Sequence, residues 1–111
     1  MSDLKVEILL PLYYNKDKNG RRKKIGGEHY LKTYEEIVEK FGGCTQDNIP
    51  LLGGWKDPIT KERIEDENIT WWVVCKNDSS NIKFLRQFKT RLKRRFQQKD
   101  IMIYYIVINR L

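Results

Sequence analysis

Histidine occurs once in this chain, at His29, and cysteine only at Cys44 and Cys75. A structural zinc site normally takes four thiolate or imidazole ligands, so no metal site is expected from these residue types. Cys–His nucleophilic chemistry is not expected either. His29 opens and Cys44 follows one predicted helix, which puts them about 20 Å apart by helical rise. No apolar run approaches the ~20 residues that cross a bilayer, so no membrane span is expected. The start, Met-Ser-Asp-Leu-Lys-Val-Glu, lacks the basic segment and apolar block of a secretory signal. A cytoplasmic site with reduced thiols follows as the expectation. The glycine spacings of nucleotide-binding loops are missing as well, so Gly26-Gly27 and Gly53-Gly54 read as a helix start and a strand bulge. No cofactor is expected.

What is present fits one folded domain over residues 1–111, with 40% hydrophobic and 33% charged residues. The formal net charge is +7, and it is clustered. Lys16, Lys18, Arg21, Arg22, Lys23 and Lys24 crowd a Gly-punctuated stretch, 15–27, expected to be an exposed, mobile loop. Lys83, Arg86, Lys89, Arg91, Lys93, Arg94 and Arg95 crowd one late helix.

The spacing predicts a strand over Leu4–Tyr14, where Val6, Ile8, Leu10, Leu12 and Tyr14 alternate with Lys5, Glu7, Leu9, Pro11 and Tyr13, and Pro11 marks a bulge or the end of its pairing. A helix is predicted over Glu28–Phe41 from the stripe Tyr30, Leu31, Tyr34, Ile37, Val38 and Phe41, with Gly42-Gly43 as its stop. A weaker edge strand covers Cys44–Leu52, bent at Gly53-Gly54. Asp57-Pro58-Ile59-Thr60 is read as a type I turn returning through Glu62–Glu65. Glu65–Asn68 is read as an interruption before Ile69–Lys76, whose β-branched and aromatic residues make it the central strand. Asn77–Ser80 offers caps to a helix carrying Ile82, Leu85, Phe88, Leu92 and Phe96. Ile101–Ile108 closes the chain as a strand apolar on both alternating sets, as a strand buried on both faces or near a dimer contact would be.

The order strand, helix, strand, strand, helix, strand predicts an α+β fold of ferredoxin-like βαββαβ type: a four-stranded antiparallel sheet with two helices on one face. With opposed hairpin positions summing to 119, Cys44 would face Cys75 across the strand pair, subject to a shift at Gly53-Gly54.

Phe41-Gly42-Gly43, Gly54-Trp55-Lys56-Asp57, the strand Trp72–Cys75 and Arg95-Phe96-Gln97-Gln98 before an apolar strand resemble a family of small bacterial domains of unknown function. The resemblance spans about Tyr30–Tyr104 and implies a ferredoxin-like layout with a Gly-x-Trp hairpin entry. Lys99 departs from it, standing where a glutamate would be expected. No catalytic residue is implied.

Both faces of the central strand carry a tryptophan, so one ring needs a cover. Tyr13 and Trp72 would sit on the sheet face away from the helices, where a second copy, a stacked base or the chain's own loop could bury them. The expected function is therefore a non-enzymatic binding or assembly module. It would homodimerise through Tyr13 and Trp72 and present Arg21, Arg22, Lys23, Lys24, Lys83, Arg86, Lys93 and Arg94 to nucleic acid or another polyanion. The alternative is a small metal-dependent nuclease or other phosphate-acting enzyme using the hairpin carboxylates Asp47, Asp57, Glu62, Glu65, Asp66 and Glu67.

Overall fold

A computed structural model describes residues 2–111. Its elements run β1 (Asp3–Pro11), α1 (Gly27–Phe41), β2 (Thr45–Lys56), β3 (Arg63–Lys76), α2 (Ser79–Arg95) and β4 (Ile103–Ile108). The strands form one antiparallel sheet in the order β2-β3-β1-β4, with β1 and β3 in the middle. This is the ferredoxin-like βαββαβ arrangement read from the sequence. Among the described residues, no helix is long and apolar enough to cross a membrane.

Alternation along the two central strands builds the core. Leu4, Val6, Ile8 and Leu10 of β1 and Ile69, Trp71, Val73 and Cys75 of β3 are all buried on the face that the helices cover. Ile37 from α1 and Leu85, Phe88 and Leu92 from α2 close over them, with Phe96 just past the end of α2. Each such side chain contributes roughly 1.5–3 kcal/mol by leaving water. Tyr30 links the two layers, its ring 5.3 Å from Phe96 and 6.3 Å from Trp71. Its hydroxyl donates to the Pro11 carbonyl at 2.6 Å, and burial pushes its pKa up to about 12.

Several sequence expectations need correction. The α1 stripe is narrower than hydropathy suggested: Leu31 is 59% exposed, and Thr33, outside the stripe, is fully buried. The Thr33 hydroxyl donates to the His29 carbonyl and accepts from Arg95, both within the helix contact, which is why a polar residue sits there at no loss. β3 runs without a break through Glu65–Asn68, because β2 pairs along it and supplies partners for its backbone. The irregularity lies instead between Asp47 and Leu51 of β2. There Pro50 has no N–H to give the ladder, and Asp47 Oδ1 accepts from Ile49 N at 3.2 Å. Leu51 pairs with Asn68, keeping the expected sum of 119, but Thr45 pairs with Trp72, two residues short of it. Cys44 therefore does not face Cys75, which pairs with Leu4 of β1. The hairpin turn is wider than type I: Lys61 N donates to Asp57 O, and Lys61 takes a positive φ of 65°. Finally, β4 is an exposed edge strand, and its neighbour Ile101 enters the core.

Candidate polyanion interface

The first cap of α2 is Asp78, whose side chain accepts from Asn81 N at 2.8 Å. From there the helix buries Leu85, Phe88 and Leu92. Helical geometry then leaves Lys83, Arg86, Thr90, Lys93 and Arg94 along the opposite side. Neighbouring cations are consumed by structure. Arg95 binds Glu36 and Thr33, Arg91 binds Glu36 at 3.3 Å, and Lys89 binds Asp100 at 3.1 Å. Among the described residues, Lys83, Arg86, Lys93, Arg94 and Lys99 make no ion pair within 4.0 Å.

The early basic loop folds back as a small hairpin. Tyr14 N donates to Lys23 O, Ile25 N to Leu12 O, and Tyr13 bridges Lys24. Asp17 organises its tip, accepting from Asn19 N and Arg21 N. The exposed part ends at Lys24, since Ile25 is buried and α1 starts at Gly27. This loop meets the end of α2. Asn15 Nδ2 donates to the Gln97 carbonyl at 3.4 Å, and Gln98 Nε2 donates to the Tyr13 carbonyl at 3.4 Å. Between them lies an open basin of about 540 Å³ lined by Asn15, Thr90, Lys93, Arg94, Gln97, Gln98 and Lys99.

The early loop thus reaches the end of α2 through Asn15 and Tyr13. Lys93 and Arg94 line the basin that Asn15 of the loop also lines, while Lys83 and Arg86 lie roughly 10–16 Å back along the helix by its rise. Arg22 is partly engaged already, with Nη1 donating to the Glu65 carbonyl at 2.9 Å and its guanidinium 5.1 Å from the Tyr13 ring. Sequence clustering identified these cations; the basin's Asn15, Gln97, Gln98 and Lys99 had no such signal, because only the packing of the loop against the helix end brings them in.

On the other sheet face, Trp72 is half-buried with Lys5 Nζ 4.8 Å from its ring centre. Lys5 pairs with Glu7 at 3.6 Å, and Tyr104 donates to Glu7. Tyr13 and Trp72 are each already under a cation of their own chain. The hairpin carboxylates do not converge: Asp66 accepts from Trp55 Nε1 at 2.8 Å, Asp57 caps its turn, and Asp47 braces the bulge. Among the described residues, no group of three His, Cys, Asp or Glu side chains is placed to hold a metal ion.

A second concavity, about 480 Å³, opens beside α1 where β2 leaves the body of the sheet. Leu12, Tyr30, Leu31, Tyr34, Gln46, Asn48, Ile69 and Trp71 line it. Trp71 Nε1 donates to Asn48 Oδ1 at 3.1 Å, and Tyr34 meets the Trp71 ring edge-on at 6.2 Å.

No protein-family model and no curated protein matches the sequence. Among solved structures, the chain is similar to a phage SAM lyase in complex with S-methyl-5'-thioadenosine. The TM-score is 0.63 at 10% identity, over 97% of this chain and 90% of that one. At that identity the likeness is one of fold.

Proposed function

We propose that this chain is a non-enzymatic binding module that holds a polyanion, nucleic acid in the first place, at the end of α2. The observation that carries this reading is the packing of Asn15, from the early basic stretch, against the end of α2, which forms a basin bordered by the cations Lys93, Arg94 and Lys99. Among the described residues, Lys93, Arg94 and Lys99 have no carboxylate within 4.0 Å, so a phosphate backbone would meet cations outside any ion pair. Contacts of this kind position a backbone and read little sequence. The test is fluorescence anisotropy with a single-stranded oligonucleotide across salt concentrations. Binding should be evident at about 50 mM salt and fall steeply by about 200 mM. Replacing Lys93, Arg94 and Lys99 together by glutamine should flatten that slope. An absence of binding at the lower salt would end the proposal.

The aromatic concavity favours a second reading, in which the chain binds a planar heteroaromatic ligand. Rings from Tyr30, Tyr34 and Trp71 with the amides of Gln46 and Asn48 form an apolar lining carrying a few polar groups. The phage SAM lyase is complexed with S-methyl-5'-thioadenosine, which makes that nucleoside a natural probe; the lining alone carries the reading. Titration should change tryptophan fluorescence, and Tyr34→Ala should weaken the effect. An unchanged spectrum at saturating ligand would remove this reading.

A further inference from the structure

The sheet has two free edges, and they are built differently. β2 carries Pro50, an irregularity between Asp47 and Leu51, and Gly53-Gly54, features that discourage pairing with another chain. β4 reads Ile-Tyr-Tyr-Ile-Val-Ile, with no charge, proline or glycine. Its side chains are exposed on both faces: Tyr104 42%, Tyr105 49%, Ile106 49% and Val107 60%. An exposed apolar edge of this kind is a template for another strand.

Backbone geometry says how such a strand would lie. Leu9 N donates to Met102 O, so Met102 directs its peptide groups at β1. By the alternation of an antiparallel ladder Tyr104, Ile106 and Ile108 do the same, while Ile103, Tyr105 and Val107 point theirs outward. Two copies of β4 related by a two-fold axis normal to the sheet must pair positions on the same face, so paired numbers sum to an even value. With Tyr105 on the axis, Ile103 opposes Val107 of the second copy, and about six hydrogen bonds form, using every outward group of the strand. Centring on Ile106 would leave Ile103 facing Asn109, beyond the strand. Charge agrees with the first register. Carried past the strand ends, it sets Asp100 opposite Arg110 of the second copy, twice over. Both are exposed, and within the chain Asp100 pairs with Lys89 and Arg110 with Asp3.

We propose that β4 is a homodimer interface, pairing antiparallel with β4 of a second copy about Tyr105 to make one continuous eight-stranded sheet. Self-association thereby falls on the sheet edge, leaving Tyr13 and Trp72 outside the contact. The inference is independent of polyanion binding, because it uses none of the cations around the basin.

Sedimentation equilibrium tests it. The chain should sediment as a dimer, Tyr105→Lys should give a folded monomer, and Trp72→Lys should remain dimeric. Since Tyr105→Lys could also disturb β4 itself, a charge swap outside the strand supplies the second arm. Asp100→Arg sets like charges against Arg110 and should weaken the dimer about tenfold. Adding Arg110→Asp should restore it. A monomer at every concentration, a trimer, a dimer lost in Trp72→Lys but kept in Tyr105→Lys, or no rescue by the double variant would overturn the proposal. Lys93→Gln with Arg94→Gln should leave the dimer intact, so the two readings fail separately.

Discussion

Arg95 reaches from α2 to the Thr33 hydroxyl of α1 at 2.8 Å, at a position where Thr33 has no exposed surface. The same guanidinium binds Glu36, which also holds Arg91, so one partly buried cation ties the helices to each other over the sheet. Arg95→Ala should cost about 2–3 kcal/mol. It leaves Thr33 without its donor and Glu36 with one partner in place of two. Arg94→Ala, one residue away and in solvent, should lie within about 0.5 kcal/mol of the parent. Urea unfolding of the two variants checks the contrast; equal midpoints would show that the Arg95 contact contributes nothing.

The indole of Trp71 is 2% exposed and donates to Asn48 from the irregular part of β2. Asn48→Ala should cost about 1–2 kcal/mol by orphaning a buried donor. It should also shift tryptophan emission, since the polar partner sits at the ring. Denaturation followed by fluorescence reads both effects, and a variant as stable as the parent would mean that water replaces the amide.

Much of the fold was legible because burial follows periodicity where one face of an element is dry. The alternation in β1 and β3 and the Ile82–Phe96 stripe needed nothing else. Where polar residues take core positions, hydropathy is silent: nothing local marks Thr33 as more buried than Leu31, because its partner Arg95 lies in another element. Register failed for a related reason. The sum of 119 holds along the outer hairpin and breaks at Asp47–Leu51, where a proline and an Asx contact act together. Of the candidate site, the charges could be read and the packing of the loop against the helix end could not. The contacts of Asn15 with Gln97 and of Gln98 with Tyr13 span most of the chain.

Asp57 Oδ1 accepts from Thr60 N at 2.9 Å and Ile59 N at 2.8 Å. These backbone bonds, Thr60 first, hold its carboxyl below the usual carboxylate range, with Lys99 helping. A depressed folded-state pKa means that the stabilisation is fully present above the unfolded value and is lost as pH falls through the folded one. The hairpin turn should therefore loosen below about pH 4. Asp57→Ala should remove that part of the acid dependence. Amide exchange or NMR shifts at Ile59 and Thr60 would show it, and identical acid profiles would contradict it.

Burial pushes the Cys44 thiol up to about 11 and raises Cys75 too, while the register keeps the two from facing each other. At pH 8 alkylation of Cys44 should be about a hundredfold slower than that of a free cysteine, in proportion to its thiolate. Mild oxidation should leave both thiols free within one chain. Mass spectrometry after iodoacetamide labelling reads the rate, and an internal disulfide would require a different pairing of β2.

The basin sorts cations that look equivalent in sequence, and the sorting has a measurable consequence. Lys93 and Arg94 line it together with Asn15 of the early loop, whereas Lys83 and Arg86 lie roughly 10–16 Å away along α2. Lys83→Gln with Arg86→Gln and Lys93→Gln with Arg94→Gln remove the same charge from the same exposed helix side. If attraction depends on net charge alone, both double variants lose nucleic-acid affinity equally. If the backbone lies across the loop and the helix end, the Lys93 and Arg94 pair makes direct contacts. Its removal should then lower the log–log salt slope by about 1.4–1.8, and removal of the distant pair by less than half of that. Neither variant should unfold more easily than the parent, because exposed charges contribute little to stability. Equal slopes would place the polyanion along the whole of α2, not at its end.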